Sequence, residues 1–219
     1  MGAGNVGHMY LPRDFVEADD EVILSLVRLA GFGHLVCSTG GGLASTPLPF
    51  VVDDSIGSVR AHVARPNAIW RSAPCDALLI VPVSDAYVSP TWYPSKGVHG
   101  KVVPTWNYEV VHLHGRLEAH DDPAWVRRQI DDLTDLNEAS MPSPWSSGDA
   151  PADYITALAK GIVGVELHVD RVAAKRKLSQ NKSDDDRTGV IDGFRSQNRA
   201  HRQVADSMAS HPQPSPRAH

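Results

Sequence analysis

The chain is 219 residues long, 42% hydrophobic and 21% charged, with a formal net charge of −5. That apolar fraction supports a sizeable packed core and excludes global disorder, and the acidic balance argues against a general nucleic-acid binder. No apolar run approaches membrane-spanning length: the best, Ala77–Val83, is of strand length and is interrupted by Pro82.

In chain order, residues 1–8 read as a flexible lead without the basic and apolar regions of a secretory signal. Asp19–Gly31 predicts a helix, capped by Asp19 or Asp20, with Val22, Ile23, Leu26, Val27 and Ala30 on one face and Gly31 as its stop. HLVCST and LASTPLPFVV predict two strands joined at Gly40-Gly41-Gly42, and after a turn at residues 53–57 comes the strand Ser58–Val63. Pro66 predicts the start of a short helix to Arg71. Ala77–Val83 and Ala86–Ser89 read as two strands about a Ser84-Asp85 turn, and Pro90–Pro104 reads as a long functional loop. Tyr108–Ala119 predicts a strand with Gly115 as a bulge. Asp122-Pro123 opens a helix to about Glu138, followed by a shorter helix Asp153–Lys160 and an alternating strand Gly164–Val172. Ser183–Asn198 suits a charged helix, and the proline-rich segment from His201 onward reads as a disordered tail. Short strands with peripheral helices predict one α+β domain built on a barrel, bounded at residues 9–198 and flanked by the lead and a tail at 199–219. Cys37 and Cys75 read as reduced core thiols of a cytoplasmic protein.

Three stretches carry chemistry. Asp85–Arg116 packs Trp92, Tyr93, Trp106 and Tyr108 around Lys96, Lys101 and His99, a mixture suited to a flat anionic ligand. The bland alternative is a well-packed loop over the barrel. In RAHVARPNAIW, Arg60 and His62 share one strand face, and Arg65-Pro66-Asn67 would place donors at a helix start as an anion cradle. His62 reads either as a hydrogen-bonded, partly buried histidine or as a ligand or proton carrier. The third stretch, KLSQN (177–181), offers donors to a phosphate or an amide-rich ring edge, or is simply a polar loop. His112 and His114 share a face without an evident third ligand, so a structural zinc site is not expected. GxGxxG, GxxxxGK[ST] and GxSxG are all absent, which removes the usual dinucleotide, P-loop and serine-hydrolase readings.

Over roughly residues 9–194, the ordered set MYLPRDF, STPLPF, HVARPN, DAYVSPTWYPSK, HGKVVPTWNYEVVHLHGRL, APADYI, IVGVEL and KLSQN resembles the FMN-binding negative transcriptional regulators of the PaiB type. Arg176 departs from the apolar or aromatic residue expected before KLSQN. The resemblance implies a split β-barrel, an FMN-binding-like fold with peripheral helices, assembled as a homodimer with cofactor pockets between subunits. It also implies a choice of function. One branch is similar to haem-dependent piperazate synthases, lyases of antibiotic biosynthesis that close N5-hydroxy-L-ornithine into L-piperazic acid with loss of water. On that expectation haem b is the cofactor and His62 its axial ligand. Arg60, Arg65 and Lys101 would pair with propionates or the substrate carboxylate, and Tyr93, Trp106 and Tyr108 would wall the pocket, with His62, Tyr93 and Tyr108 catalytic. On the alternative, a flavin-binding regulator or reductase, FMN is held by Arg65, Asn67, Lys101, Ser179 and Gln180. Neither reading requires a membrane, and contact with nucleic acid is not expected.

Overall fold

A computed structural model describes residues 9–211; the predicted lead at 1–8 and the final residues 212–219 lie outside the described part. The elements are β1 (Val16–Glu17), α1 (Asp20–Ala30), β2 (Phe32–Thr39), β3 (Gly42–Pro49), β4 (Val51–Val52), β5 (Ser58–Ala64) and β6 (Cys75–Val88). They continue with α2 (Ser95–His99), β7 (Thr105–His120), α3 (Pro123–Glu138), α4 (Ala152–Ala159), β8 (Ile162–Lys177), α5 (Asp184–Arg195) and α6 (Arg199–Ser210). The strands form one sheet in the order β3-β2-β6-β7-β8-β5-β4, with β1 on β8. Every strand pair with a described register is antiparallel, as in Cys37 opposite Ala77 and His62 opposite Gly164. Among the described residues no helix is long and apolar enough to cross a membrane.

The chain divides into two compact units, and β6, β7 and β8 contribute residues to both. The first comprises residues 20–81 and 112–172. Its core is the apolar face of the strands, where Leu35, Leu48, Val59, Ala61, Leu79, Leu117, Val165 and Leu167 meet. α1 ends as predicted because Gly31, at φ +57°, turns the chain where a Cβ would be strained. α3 begins as predicted, Asp122 Oδ1 accepting from Trp125 N at 2.8 Å ahead of Pro123. The second unit comprises residues up to 19, 82–111 and from 173. There Val88, Tyr93 and Leu178 pack with Val190 and Phe194 of α5 and Val204, Ala205 and Met208 of α6.

Several expectations need correction. The predicted turn at Ser84-Asp85 lies inside the continuous strand β6. Buried positions change there from odd (77, 79, 81) to even (86, 88), and Ser84 Oγ donates to Glu109 Oε2 at 2.8 Å. The Pro90–Pro104 loop contains a 3-10 turn, Pro90–Trp92, and the short helix α2. The helix expected from Pro66 is a 3-10 helix at Ala68–Ser72, its start set by Asn67, whose Oδ1 accepts from Ile69 N at 3.1 Å. The predicted 199–219 tail begins instead with α6, capped by Asn198 and free of proline. The helix expected over Ser183–Asn198 is present as α5, with Asp184–Asp186 in its first turn, but it is not charged throughout its surface: Asp186 is buried.

Candidate functional site

The residues expected to share one site fall in different units. Arg60, His62, Arg65 and Asn67 belong to the first, and Tyr93, Lys101, Trp106, Tyr108, Ser179 and Gln180 to the second.

In the first unit most of the expected donors are already engaged. Arg65 clamps Asp121 with two N–H groups (2.9 and 2.6 Å) and also donates to the carbonyls of Lys160 (2.8 Å) and Ile162 (3.1 Å). The pairing raises the Arg65 pKa and lowers that of Asp121. Arg60 pairs with Asp132 at 2.8 Å. Asn67 Nδ2 donates to Thr46 Oγ1 at 2.9 Å while its oxygen caps the 3-10 turn, so both ends of the amide are used. The anion cradle predicted here is therefore a structural clasp. His62 differs: it is half-buried, its Nδ1 has no partner among the described residues, and burial pushes its pKa below 6.5. Its register partner Gly164 lies against the Trp125 ring. Among the described residues no group of three or more His, Cys, Asp or Glu could hold a metal ion.

In the second unit the expected residues again divide. Gln180 is consumed by the chain's own backbone, accepting from Leu178 N at 2.7 Å and donating to Arg176 O at 2.5 Å. Tyr93 is 2% exposed and part of the core, so it cannot wall an open pocket; burial, with Asp186 nearby, raises its pKa. Lys101 is exposed, its backbone N–H donating to His99 Nδ1 at 3.0 Å. Trp106 is half-exposed, edge-on to Tyr87 with ring centroids 6.0 Å apart. Arg176 is no pocket wall either. It is buried, donating to Glu109 Oε1 at 2.7 Å and to Glu17 Oε2 at 3.1 Å.

What remains is a basic pocket formed by KLSQN and part of the Asp85–Arg116 stretch. A cavity of about 150 Å³ is lined by Val103, Pro104, Thr105, Lys177, Ser179, Asn181 and Lys182. β8 delivers Lys177 at its last position, where Nζ donates to Thr105 Oγ1 at 2.7 Å and to the Trp106 carbonyl. Ser179 sits at φ +62°, an unusual backbone for a residue with a side chain, and its Oγ exchanges hydrogen bonds with the Asn107 amide at 3.0 and 3.1 Å. Aromatic faces surround the lysines: Lys175 Nζ lies 5.4 Å from the centroids of Tyr10 and Tyr108, Lys177 Nζ 6.0 Å from Tyr108, and Lys182 Nζ 5.2 Å from Tyr93. Burial and the charges of Lys175 and Lys182 lower the Lys177 pKa. An anion placed among these ammonium groups would relieve that repulsion. Sequence reasoning missed Thr105, Lys175 and Lys182, and the available signal was three lysines, Lys177 of KLSQN among them, within eight positions of a lysine-poor chain.

A family model described as "Putative FMN-binding domain" matches residues 9–171. An uncharacterized protein of Emericella nidulans is 32% identical, the alignment covering 85% of this chain and 90% of the relative. The protease synthase and sporulation protein PAI 2 of Bacillus subtilis is 28% identical, covering 91% and 96% respectively. The solved flavocytochrome Anf3 of Azotobacter vinelandii superposes with a TM-score of 0.54 at 16% identity, over 74% of this chain and 69% of that one. That likeness concerns the fold alone: the α+β split β-barrel, as expected from the sequence.

Proposed function

The chain belongs to the FMN-binding domain family matched over residues 9–171, and from that premise we propose that it is a PaiB-type flavin-binding protein whose basic pocket takes the phosphate of FMN. The observation that carries this reading is the cluster of Lys175 and Lys177 beside Tyr108 and Lys182 beside Tyr93, with Thr105 and Ser179 in the cavity wall. The donor set fits: ammonium groups and hydroxyls suit a phosphate dianion, and a tyrosine face suits a flat ring. Lys177 and Lys182 would bind the phosphate, and Thr105 would hold the Lys177 ammonium in place. A cavity of about 150 Å³ is roughly half the lower limit for a drug-sized ligand. It would accept the phosphate end, and a second copy of the chain, in the homodimer proposed here, would complete the site for the rest of the flavin. When bound, a flavin supplies hydride or single-electron transfer, so a reductase activity is part of the proposal. The net charge of −5 favours regulation through small-molecule redox chemistry over direct DNA contact.

A second reading, the haem-dependent piperazate synthase, draws on one observation: the buried, unpartnered Nδ1 of His62. It loses support from Arg60 and Arg65, which are held by Asp132 and Asp121. The deciding experiment is the absorption spectrum of protein expressed with riboflavin and a haem precursor, followed by titration of the stripped protein. FMN should bind about tenfold or more tighter than riboflavin, which lacks the phosphate, and Lys177→Met should abolish that preference. Equal affinity for the two flavins would overturn the phosphate assignment. A Soret band lost in His62→Ala, with N5-hydroxy-L-ornithine converted to piperazic acid, would install the second reading in its place.

A further inference from the structure

The first unit contains a cavity of about 280 Å³, formed by residues outside the basic pocket. Its apolar walls are Pro123 and Val126 of α3 and Ile155 and Ala159 of α4, and its polar edge is formed by Arg65, Arg127, Lys160 and Thr156, with Asp121 held in the Arg65 clasp. A dry engineered cavity of about 150 Å³ is large enough for benzene, so this one has room for a single ring carrying a short polar arm.

Counting donors identifies the arm. Arg65 is nearly saturated by Asp121 and two carbonyls. Arg127 uses Nε on Asp131 and one terminal nitrogen on Ser147, and its other terminal nitrogen takes no acceptor among the described residues. The Lys160 ammonium likewise has none there, although its backbone carbonyl accepts from Arg65. Two cationic donors without acceptors beside an apolar, partly enclosed space are complementary to one carboxylate on a hydrophobic body. A phosphate ester would be too polar for walls of Val, Ile and Ala, and a neutral apolar ligand would leave the donors facing it unpaired.

We infer that this cavity is a binding site for a small aromatic or branched monocarboxylate, separate from the basic pocket and able to bind whatever that pocket holds. Benzoate is the probe, followed by methyl NMR of Val126 and Ile155 in the full-length protein. Benzoate should shift both methyl signals with a dissociation constant on the order of 1 mM, reasonable for so small a ligand. Benzyl alcohol should bind about tenfold more weakly because it cannot engage the cations. Ala159→Phe, which fills the space from α4, should abolish the response. Lys160→Gln, an exposed change that leaves the walls intact, should weaken benzoate several-fold and leave benzyl alcohol unchanged. Absence of shifts at saturating benzoate overturns the inference, as does benzoate binding undiminished in Ala159→Phe. Equal affinity for benzoate and benzyl alcohol overturns the carboxylate assignment. Because the readout is at Val126 and Ile155, the outcome does not depend on whether flavin binds.

Discussion

Replacing Arg176 with Met tests whether the second unit is organised around a buried charge. Glu109 is 1% exposed and Arg176 9%, joined at 2.7 Å, with Ser84 on the other carboxylate oxygen at 2.8 Å and Glu17 on the guanidinium at 3.1 Å. Removing Arg176 leaves Glu109 with one neutral donor in a dry environment, and Glu17 also loses its cation. Breaking a buried pair in this way costs about 3–5 kcal/mol. For a domain of this size that corresponds to a fall in Tm of about 6–20 °C. Glu109→Leu alone strands Arg176 against Glu17 and should cost less, because one carboxylate still balances the cation. The double variant removes both halves of the closest pair and should recover more than half of the sum of the single losses. The measurement is a double-mutant cycle in urea, with matched m-values as the check on two-state unfolding. A loss below about 1 kcal/mol for Arg176→Met, or strictly additive single effects, would show that the pair is hydrated in solution and refute the reasoning.

Two further outcomes follow from local geometry. Burial lowers the His62 pKa from its ordinary 6.5, so the unfolded chain binds the proton more readily than the fold does. Its contribution is full above pH 6.5 and is lost as pH falls toward the lowered folded value; His62→Gln should flatten that part of a urea-midpoint profile, and an unchanged slope would refute the assignment. A Cβ at Gly115 would lie 2.8 Å from the His168 carbonyl carbon and closer still to its oxygen, whereas one at Gly97 would meet nothing within 4 Å. Gly115→Ala should therefore cost about 3 kcal/mol or prevent folding, while Gly97→Ala in α2 should be neutral or stabilising in the same unfolding assay.

The contrast between Gly115 and Ser84 shows what was legible in the sequence. Signals complete within a few residues were readable: the Asp122-Pro123 start of α3, the Gly31 stop of α1, and the glycine turn between β2 and β3. Gly115 was identifiable as unusual, but its reason, the approach of the β8 backbone, lies 53 positions away at His168. Ser84-Asp85 resembled a turn because nothing nearby revealed that Glu109 would accept the serine hydroxyl. α6 was hidden by its neighbours. Prolines begin at 212, and treating 199–219 as one segment let them mask the apolar positions 204, 205 and 208, which fall on one helical face.

The candidate site was harder to read for a related reason. Sequence shows donors but not the acceptors they will meet, and a donor is available to a ligand only if the fold leaves it unspent. Arg65, Asn67 and Gln180 all looked like anion-binding groups, and each is committed: to Asp121, to Thr46 and the 3-10 turn, and to the backbone at residues 176–178. Arg176 looked like an intrusion into an apolar wall and proves to be neutralised by two glutamates. Lys175 and Lys177 stand on the other side of that count. Lys177 has only the neutral oxygens of Thr105 and Trp106, Lys175 only the Tyr10 carbonyl, and no carboxylate pairs with either among the described residues. Their positive charge is confined beside tyrosine faces and remains uncompensated by the fold itself. Retaining such a cluster costs stability through the burial of Lys177 and its repulsion by Lys175 and Lys182, both of which lower the Lys177 pKa. A bound phosphate would offset that cost, which is why the basic pocket, rather than the arginine clasp near His62, is the place to look for FMN.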